Sequence, residues 1–145
     1  MNLNRYVESS SKFLNEVAEE LGYPQDVDMA LRVVRAVFSA MRDRLTIEES
    51  FDIMAQLPML LKGIYVDGWR PSKQKAKIRD FEQFMAETLQ SDRRAAEVDF
   101  GIEAESITET IQAVFRVLKR HLPKGEVNDI TANLPHNIRD YWVGA

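Results

Sequence analysis

A displaced copy of one segment within the chain is the feature that most constrains the fold. Shifting the sequence by 77 positions places residues 36–68 on residues 113–145 without a gap, and 11 of those 33 positions are identical. Both copies contain an Ala-(Gln/Asn)-Leu-Pro motif, beginning at Ala55 and at Ala132, and both end in a tail with aromatic residues. Self-similarity at a fixed offset indicates that one structural unit was duplicated.

The matching positions run through the whole alignment and include Ala36/Ala113, Val37/Val114, Phe38/Phe115, Leu45/Leu122, Glu49/Glu126, Asp52/Asp129, Ile53/Ile130, Leu57/Leu134 and Pro58/Pro135. A weaker match upstream relates FLNEVAEEL from Phe13 to FMAETLQSD from Phe84, at an offset of 71. The difference between the two offsets means that the second half carries about six extra residues around SDRRAAEVDFG.

Each copy has the apolar spacing of amphipathic helices, with hydrophobic residues every three or four positions. In the first copy, one stripe begins near Tyr6 and ends at Gly22, a residue that commonly stops a helix. A longer stripe runs from Val27 to Leu45. The first half therefore opens with two predicted helices, the second longer than the first.

A capping pattern and a proline predict two more helices in the first copy. Thr46 and Glu49 have the spacing of a capping box, which predicts a third helix running to about Gln56. Leu57 precedes a proline and is therefore pushed out of the α region. Pro58 is suited to the first turn of a short fourth helix ending near Val66.

The second copy repeats this plan, although Pro123 replaces the capping threonine. The only plausible strand in the chain is the short stretch GIYV. The spacing predicts helices over about 72–90, 104–121, 125–133 and 135–143.

These elements predict an all-α fold of two tandem four-helix repeat units, packed with pseudo-two-fold symmetry into one compact bundle. Residues 1–69 would form the first repeat, residues 70–79 a basic linker that leads into the next helix, and residues 80–145 the second repeat. A duplication of this kind stands in for a homodimer, because two like surfaces meet inside one chain.

Composition narrows the class of protein. The chain has no cysteine, which excludes disulfides and thiolate metal sites. It shows no apolar signal segment and no run of roughly 20 apolar residues, so we expect a soluble, cytoplasmic protein outside the membrane.

Net charge is −4 in residues 1–69, +5 in residues 70–79 and −5 in residues 80–145. Two acidic halves disfavour binding to nucleic acid.

The chain resembles the uncharacterised bacterial domain-of-unknown-function family 2267. The stretches that carry the likeness are AVFSAMRDRLTIEESFDIMAQLP, DGWRP and AVFRVLKRHLPKGEVNDITANLPHNIRDYW. The resemblance covers nearly the whole chain and implies an all-helical tandem repeat with no assigned reaction. Gly63 departs from the polar residue usual in the family, and it should loosen its helix by up to about 1 kcal/mol.

The sequence contains no recognisable catalytic or metal-binding motif. His121 aligns with Arg44 and His136 with Met59, so neither position needs an imidazole in both repeats. Glu126 and Asp129 are interpreted as acidic groups in the first turn of a helix, where they favour the helix dipole. Nucleophile motifs and Gly-rich phosphate loops are absent. We therefore expect no catalytic residues, no cofactor and no metal.

Two features remain as candidates for partner binding. The strip RPSKQKAKIR is the most distinctive charge feature, and the aromatic residues just before it could form an exposed contact site. The alternatives are that the strip is a solvated linker and that the rings pack in the core or between repeats. The candidate partner-binding residues are Tyr65, Trp69, Arg70, Lys73, Lys75, Lys77 and Arg79.

The leading hypothesis is a non-enzymatic helical module that binds another protein or itself. The groove between the repeats, near Tyr65, Trp69 and the strip, is the expected place. The alternative is a small-ligand-binding protein or an enzyme that uses acidic residues and His121 or His136 at the junction between the repeats.

Overall fold

The computed structural model describes residues 2–73, 80–134 and 136–145. Within these ranges the chain forms nine α-helices and one 3-10 turn at Pro71–Lys73, with no strand, which confirms the predicted all-α class. The GIYV stretch, residues 63–66, lies entirely within a helix. The helices are α1 Leu3–Glu20, α2 Val27–Arg44, α3 Ile47–Gln56, α4 Met59–Val66, α5 Phe81–Ser91, α6 Ala96–Phe100, α7 Ala104–His121, α8 Lys124–Asn133 and α9 His136–Val143.

Three helices of the first half have counterparts of the same length in the second. α2 and α7 have 18 residues each, α3 and α8 have 10, and α4 and α9 have 8. Each pair begins and ends 77 positions apart, which is the offset of the sequence repeat. The duplicated sequence thus gives the same local structure twice. The pseudo-two-fold arrangement and the unit boundaries stay predictions.

Local chemistry sets the helix boundaries. The Asp26 side chain accepts a hydrogen bond from the Met29 N–H at the start of α2. The predicted capping box is present, since Glu49 N–H donates to Thr46 Oγ1 while the Glu49 carboxylate accepts from the Thr46 N–H. Leu57 is extended (ψ 150°), as expected for a residue before proline, and it turns the chain from α3 into α4.

The core lies around α2 and α7. These two long helices contact each other, and each also contacts both α1 and α5, so helices of the two halves are interleaved. Burying one large apolar side chain contributes about 1.5–3 kcal/mol, and this centre holds many of them. Fully buried members include Phe13, Val17, Val33, Val34, Val37, Phe38, Ile111, Val114, Val117 and Leu118.

The second half departs from the predicted plan in two places. The predicted start of the helix over 72–90 was wrong. Asp80 is extended (φ −147°, ψ 166°) and caps α5, which begins at Phe81. The extra residues of the second half form a short additional helix, α6, before Gly101. Gly101 has φ +77°, and a Cβ there would lie 2.5 Å from Ser106 Oγ, so this turn requires glycine.

No helix in the described ranges has both the length and the hydropathy needed to cross a bilayer.

Candidate functional site

Tyr65, a predicted partner-binding residue, lies entirely within the core. Its hydroxyl is 2.8 Å from Ser50 Oγ, and its ring packs 5.2 Å from that of Phe38. Burial raises the pKa of the Tyr65 phenol. In the second half, Trp142 takes the same role: its indole N–H donates to Thr131 Oγ1 at 2.9 Å. These rings anchor α4 and α9 and offer no surface to a partner.

A cation from each long helix closes the end of each short helix. Arg42 Nη1 donates to the carbonyl oxygens of Tyr65 at 2.9 Å and Asp67 at 2.5 Å. Lys119, at the equivalent position of α7, donates to the carbonyl oxygen of Trp142 at 2.8 Å. Burial lowers the pKa of Lys119, with a further contribution from the nearby charge of Arg116. Both cations neutralise the negative end of a helix dipole, which is a structural role.

The remaining predicted site residues are described only in part. Trp69 is half-buried, with its ring 6.1 Å from that of Tyr65 and 6.2 Å from that of Phe51. Arg70 is exposed. Lys73 ends the 3-10 turn, and its side chain is not described. Lys75, Lys77 and Arg79 lie outside the described residues, so partner binding by the basic strip stays a prediction.

The contact of Trp69 leads to a surface that the sequence analysis missed. On α3 the exposed positions form two neighbouring columns, one of Ile47, Phe51 and Ala55 and one of Glu48, Asp52 and Gln56. We refer to these six residues as the Phe51 face. Phe51 is 58% exposed and Ile47 is 37% exposed. A large aromatic ring therefore stands in solvent beside two carboxylates.

The equivalent helix of the second half has no such surface. The same two columns of α8 hold Lys124, Asn128 and Ala132 in one and Gly125, Asp129 and Asn133 in the other. All six positions are exposed in α8, as they are in α3. Because α8 forms with polar residues in the apolar column, the helix itself does not require phenylalanine at position 51. Comparing the two copies position by position was the sequence signal that could have revealed this face.

The acidic side of the Phe51 face is not used in packing. Glu49 is engaged in the capping box, whereas Glu48 and Asp52 are exposed. Across residues 2–73, 80–134 and 136–145, neither of these two side chains forms an ion pair or a hydrogen bond. The face therefore carries two uncompensated negative charges next to its apolar column.

The histidines proposed for the alternative function lie in different settings. His121 Nε2 is 2.6 Å from Glu16 Oε2, and its ring lies 5.0 Å from that of Phe13. His136 is exposed, as is Asp129, which lies in the second turn of α8 and not in its first. Glu126 does lie in the first turn, although it makes no side-chain capping bond.

The pairing of His121 with Glu16 has a counterpart in the other half. Arg44, which corresponds to His121, binds Glu87, which corresponds to Glu16, with Nη2 and Oε1 2.5 Å apart. Each pair joins a long helix of one half to the first helix of the other. In the first half, the position equivalent to His121 therefore holds an arginine whose ion pair joins the two halves.

A polar cleft of about 310 Å³ lies among α1, α6 and α7. Neither histidine lines it. Over the part of the chain that is described, no group of three or more histidine, aspartate or glutamate side chains is arranged to hold a metal ion. The residues that line the cleft include Glu20, Tyr23, Asp99, Ser106, Glu109 and Thr110.

Two carboxyl groups with shifted pKa values, Asp92 at the end of α5 and Asp99 on α6, lie near Arg32 of α2. Arg32 donates two hydrogen bonds to Asp99, at 2.8 and 2.9 Å, and Asp99 is buried. Burial, together with the hydrogen bond to Asp99 and its charge, raises the pKa of Asp92 to about 7. Burial also opposes ionisation of Asp99. The hydrogen bonds from Arg32 and Asp92 outweigh this effect of burial and lower the pKa of Asp99. Below a pH of about 7, Asp92 therefore holds its proton while Asp99 is ionised.

The fold and these contacts define a class: an all-helical protein in which two sets of helices share one core. Residues 10–141 match the sequence profile of the family described as "Uncharacterized conserved protein (DUF2267)". The chain therefore belongs to this family, which confirms the resemblance carried by the Leu-Pro motif and its flanking helices. Comparison with curated proteins gave no match.

Proposed function

We propose that this protein is a non-enzymatic helical module that binds another protein through the Phe51 face. One observation carries the proposal: α3 exposes an aromatic and an aliphatic residue at positions where its duplicate α8 has asparagine and lysine. Because α3 and α8 form at equivalent positions and with the same length, a difference between their exposed residues reflects something other than helix formation. The cytoplasmic location expected from the sequence belongs to the same proposal.

The energetics favour a contact at Phe51. Full burial of a phenylalanine side chain contributes about 1.5–3 kcal/mol, and a partner that covers the exposed part of Phe51 would gain a share of this free energy. Aromatic residues also dominate the binding energy of many interfaces. Trp69 supports the Phe51 ring through an edge-on contact, with the two ring centroids 6.2 Å apart. A supported, half-exposed ring loses little side-chain freedom when it is covered, which lowers the entropic cost of binding.

The alternative function is a ligand-binding or catalytic site at the Glu16–His121 pair. The specific observation in its favour is the 2.6 Å contact between a carboxylate and an imidazole. Against it stands the equivalent pair Arg44–Glu87, which joins the halves in the same way without an imidazole. The cleft among α1, α6 and α7 contains neither histidine. We therefore assign the Glu16–His121 pair to packing.

The test replaces Phe51 by the residue that α8 carries, in the variant Phe51→Asn. Its matched control is Val143→Asn, since Val143 is also 58% exposed but lies on α9. We expect quantitative co-purification from cells that express the protein to lose specific partners only with Phe51→Asn. If both variants and the unmodified protein recover the same partners in the same amounts, the Phe51 face is not the binding surface.

A further inference from the structure

We infer that the partner of the Phe51 face presents a basic amphipathic helix. This inference rests on the proposed function and specifies the chemistry of the partner. It follows from the arrangement of apolar and acidic residues on α3, from the charge of the surrounding half and from the contrast with α8.

The two columns of α3 have the shape that an amphipathic helix would match. Residues 47, 51 and 55 are four positions apart, as are residues 48, 52 and 56, so each column runs along the helix axis. A helix laid along α3 with apolar residues at the same spacing would cover Ile47 and Phe51 together. Basic residues beside its apolar stripe would then meet Glu48 and Asp52, for which the described part of the chain provides no ion pair.

Charge complementarity selects a basic partner. Residues 1–69 carry a net charge of −4, to which the Phe51 face contributes two carboxylates that form no ion pair among the described residues. Each exposed ion pair adds only about 0.2–1 kcal/mol, but a complementary field accelerates encounter and rejects acidic partners. The same positions of α8 hold Lys124, Gly125 and Asp129, which leaves that face polar and without net charge. The recognition features are therefore confined to the first half.

The same charges argue against a second copy of this chain as the occupant. In a symmetric dimer the same patch lies on both sides of the interface. Pairing through the Phe51 face would therefore bring Glu48 and Asp52 of both copies together, and like charges at an interface are unfavourable. A partner with lysine or arginine at those places avoids this repulsion.

The test titrates the full chain with a labelled amphipathic helical peptide of leucine and lysine, and with a matched peptide in which glutamate replaces lysine. We expect saturable binding of the lysine peptide only. The Kd should rise about tenfold in Phe51→Asn, a loss of about 1.4 kcal/mol, and several-fold in the double variant Glu48→Gln/Asp52→Asn. Val143→Asn and Asp129→Asn, which changes the α8 counterpart of Asp52, should bind as the unmodified protein does.

Four outcomes would overturn the inference. Equal binding of the glutamate peptide would remove the charge preference. An equal loss of binding in Asp129→Asn and in Glu48→Gln/Asp52→Asn would show that the peptide is attracted by acidic charge in general and not by this face. Concentration-dependent dimerisation that Phe51→Asn abolishes would identify a second copy as the occupant. If Phe51→Asn loses cellular partners but the lysine peptide fails to bind, the proposed function stands and only this inference fails.

Discussion

At the scale of single residues, two buried carboxyl groups, Asp92 and Asp99, differ in whether they are ionised. Asp99 is buried and holds Arg32 with two hydrogen bonds, so it can stay ionised. Asp92, also largely buried, faces that negative charge and keeps its proton up to a pH of about 7. Its Oδ2 atom has no hydrogen-bond partner within the described residues, so ionisation there would leave a poorly solvated charge. The pair makes stability depend on pH.

Stability should fall as pH rises towards 7. The folded pKa of Asp92, about 7, lies above its ordinary value of 3.8, so the folded protein binds the proton more tightly. The contribution is full below the ordinary pKa and is lost as pH rises through about 7, with a slope of at most about 1.4 kcal/mol per pH unit. Urea unfolding at pH 5, 6, 7 and 8 measures it.

The control for the pH effect is Asp92→Asn, whose amide resembles the protonated acid. This variant should lack the decline in unfolding free energy and be more stable than the unmodified protein at pH 8. Parallel pH profiles for both proteins would show that Asp92 is not the group responsible.

At the scale of elements, α3 and α8 show how equivalent helices begin differently. The Thr46 hydroxyl and the Glu49 carboxylate satisfy backbone N–H groups at the start of α3. At the start of α8, Pro123 is the N-cap and provides no side-chain hydrogen bond. The helix that carries the Phe51 face is therefore held at its start by its own cap.

Thr46→Ala should destabilise the protein by about 1 kcal/mol, within a range of roughly 0.5–2 kcal/mol, because it removes the capping oxygen. Denaturant unfolding measures the change. Thr46→Ser restores that oxygen and should recover most of the loss. An alanine variant as stable as the serine variant would mean that the hydrogen bond at 3.1 Å contributes nothing.

At the scale of the whole molecule, contacts between the halves hold the fold together. α1 packs on α7, and α5 packs on α2, so each half covers the apolar surface of the other. The Arg44–Glu87 and Glu16–His121 contacts lie across these two packings. Glu20 adds a third connection, since it accepts hydrogen bonds from Arg116, at 2.7 Å, and from Arg120.

Glu87→Gln should therefore cost about 1.5–3 kcal/mol, because it weakens a partly buried, charge-assisted bond between the halves. Asp52→Asn is the comparison, since the Asp52 carboxylate is exposed and should change stability by less than about 0.5 kcal/mol. Thermal unfolding of both variants measures the difference. Equal melting temperatures would show that the Arg44–Glu87 bond does not stabilise the packing of α2 on α5.

Local signals explain which elements could be predicted. The bounds of α7 were predicted as 104–121 and are found there, because a regular apolar stripe covers its full length. The corner at Leu57 was predicted because the following proline restricts it. The start of α5 was missed: Asp80 is a good helix cap, but the preceding basic residues continue the helical composition. The helix α6 is five residues long, too short for periodicity to reveal.

The sequence by itself determined the all-α class, the duplication and most helix bounds, because spacing, caps and X-Pro steps act within a few residues. The tertiary structure decided which side of α3 is covered. Periodicity identifies apolar positions but not the neighbours that bury them, so Ile53 is buried and Phe51 is exposed for reasons outside the helix. The tertiary structure also brought Arg32 to Asp99, 67 positions away, and it buried Asp92 beside Asp99, which raises the pKa of Asp92.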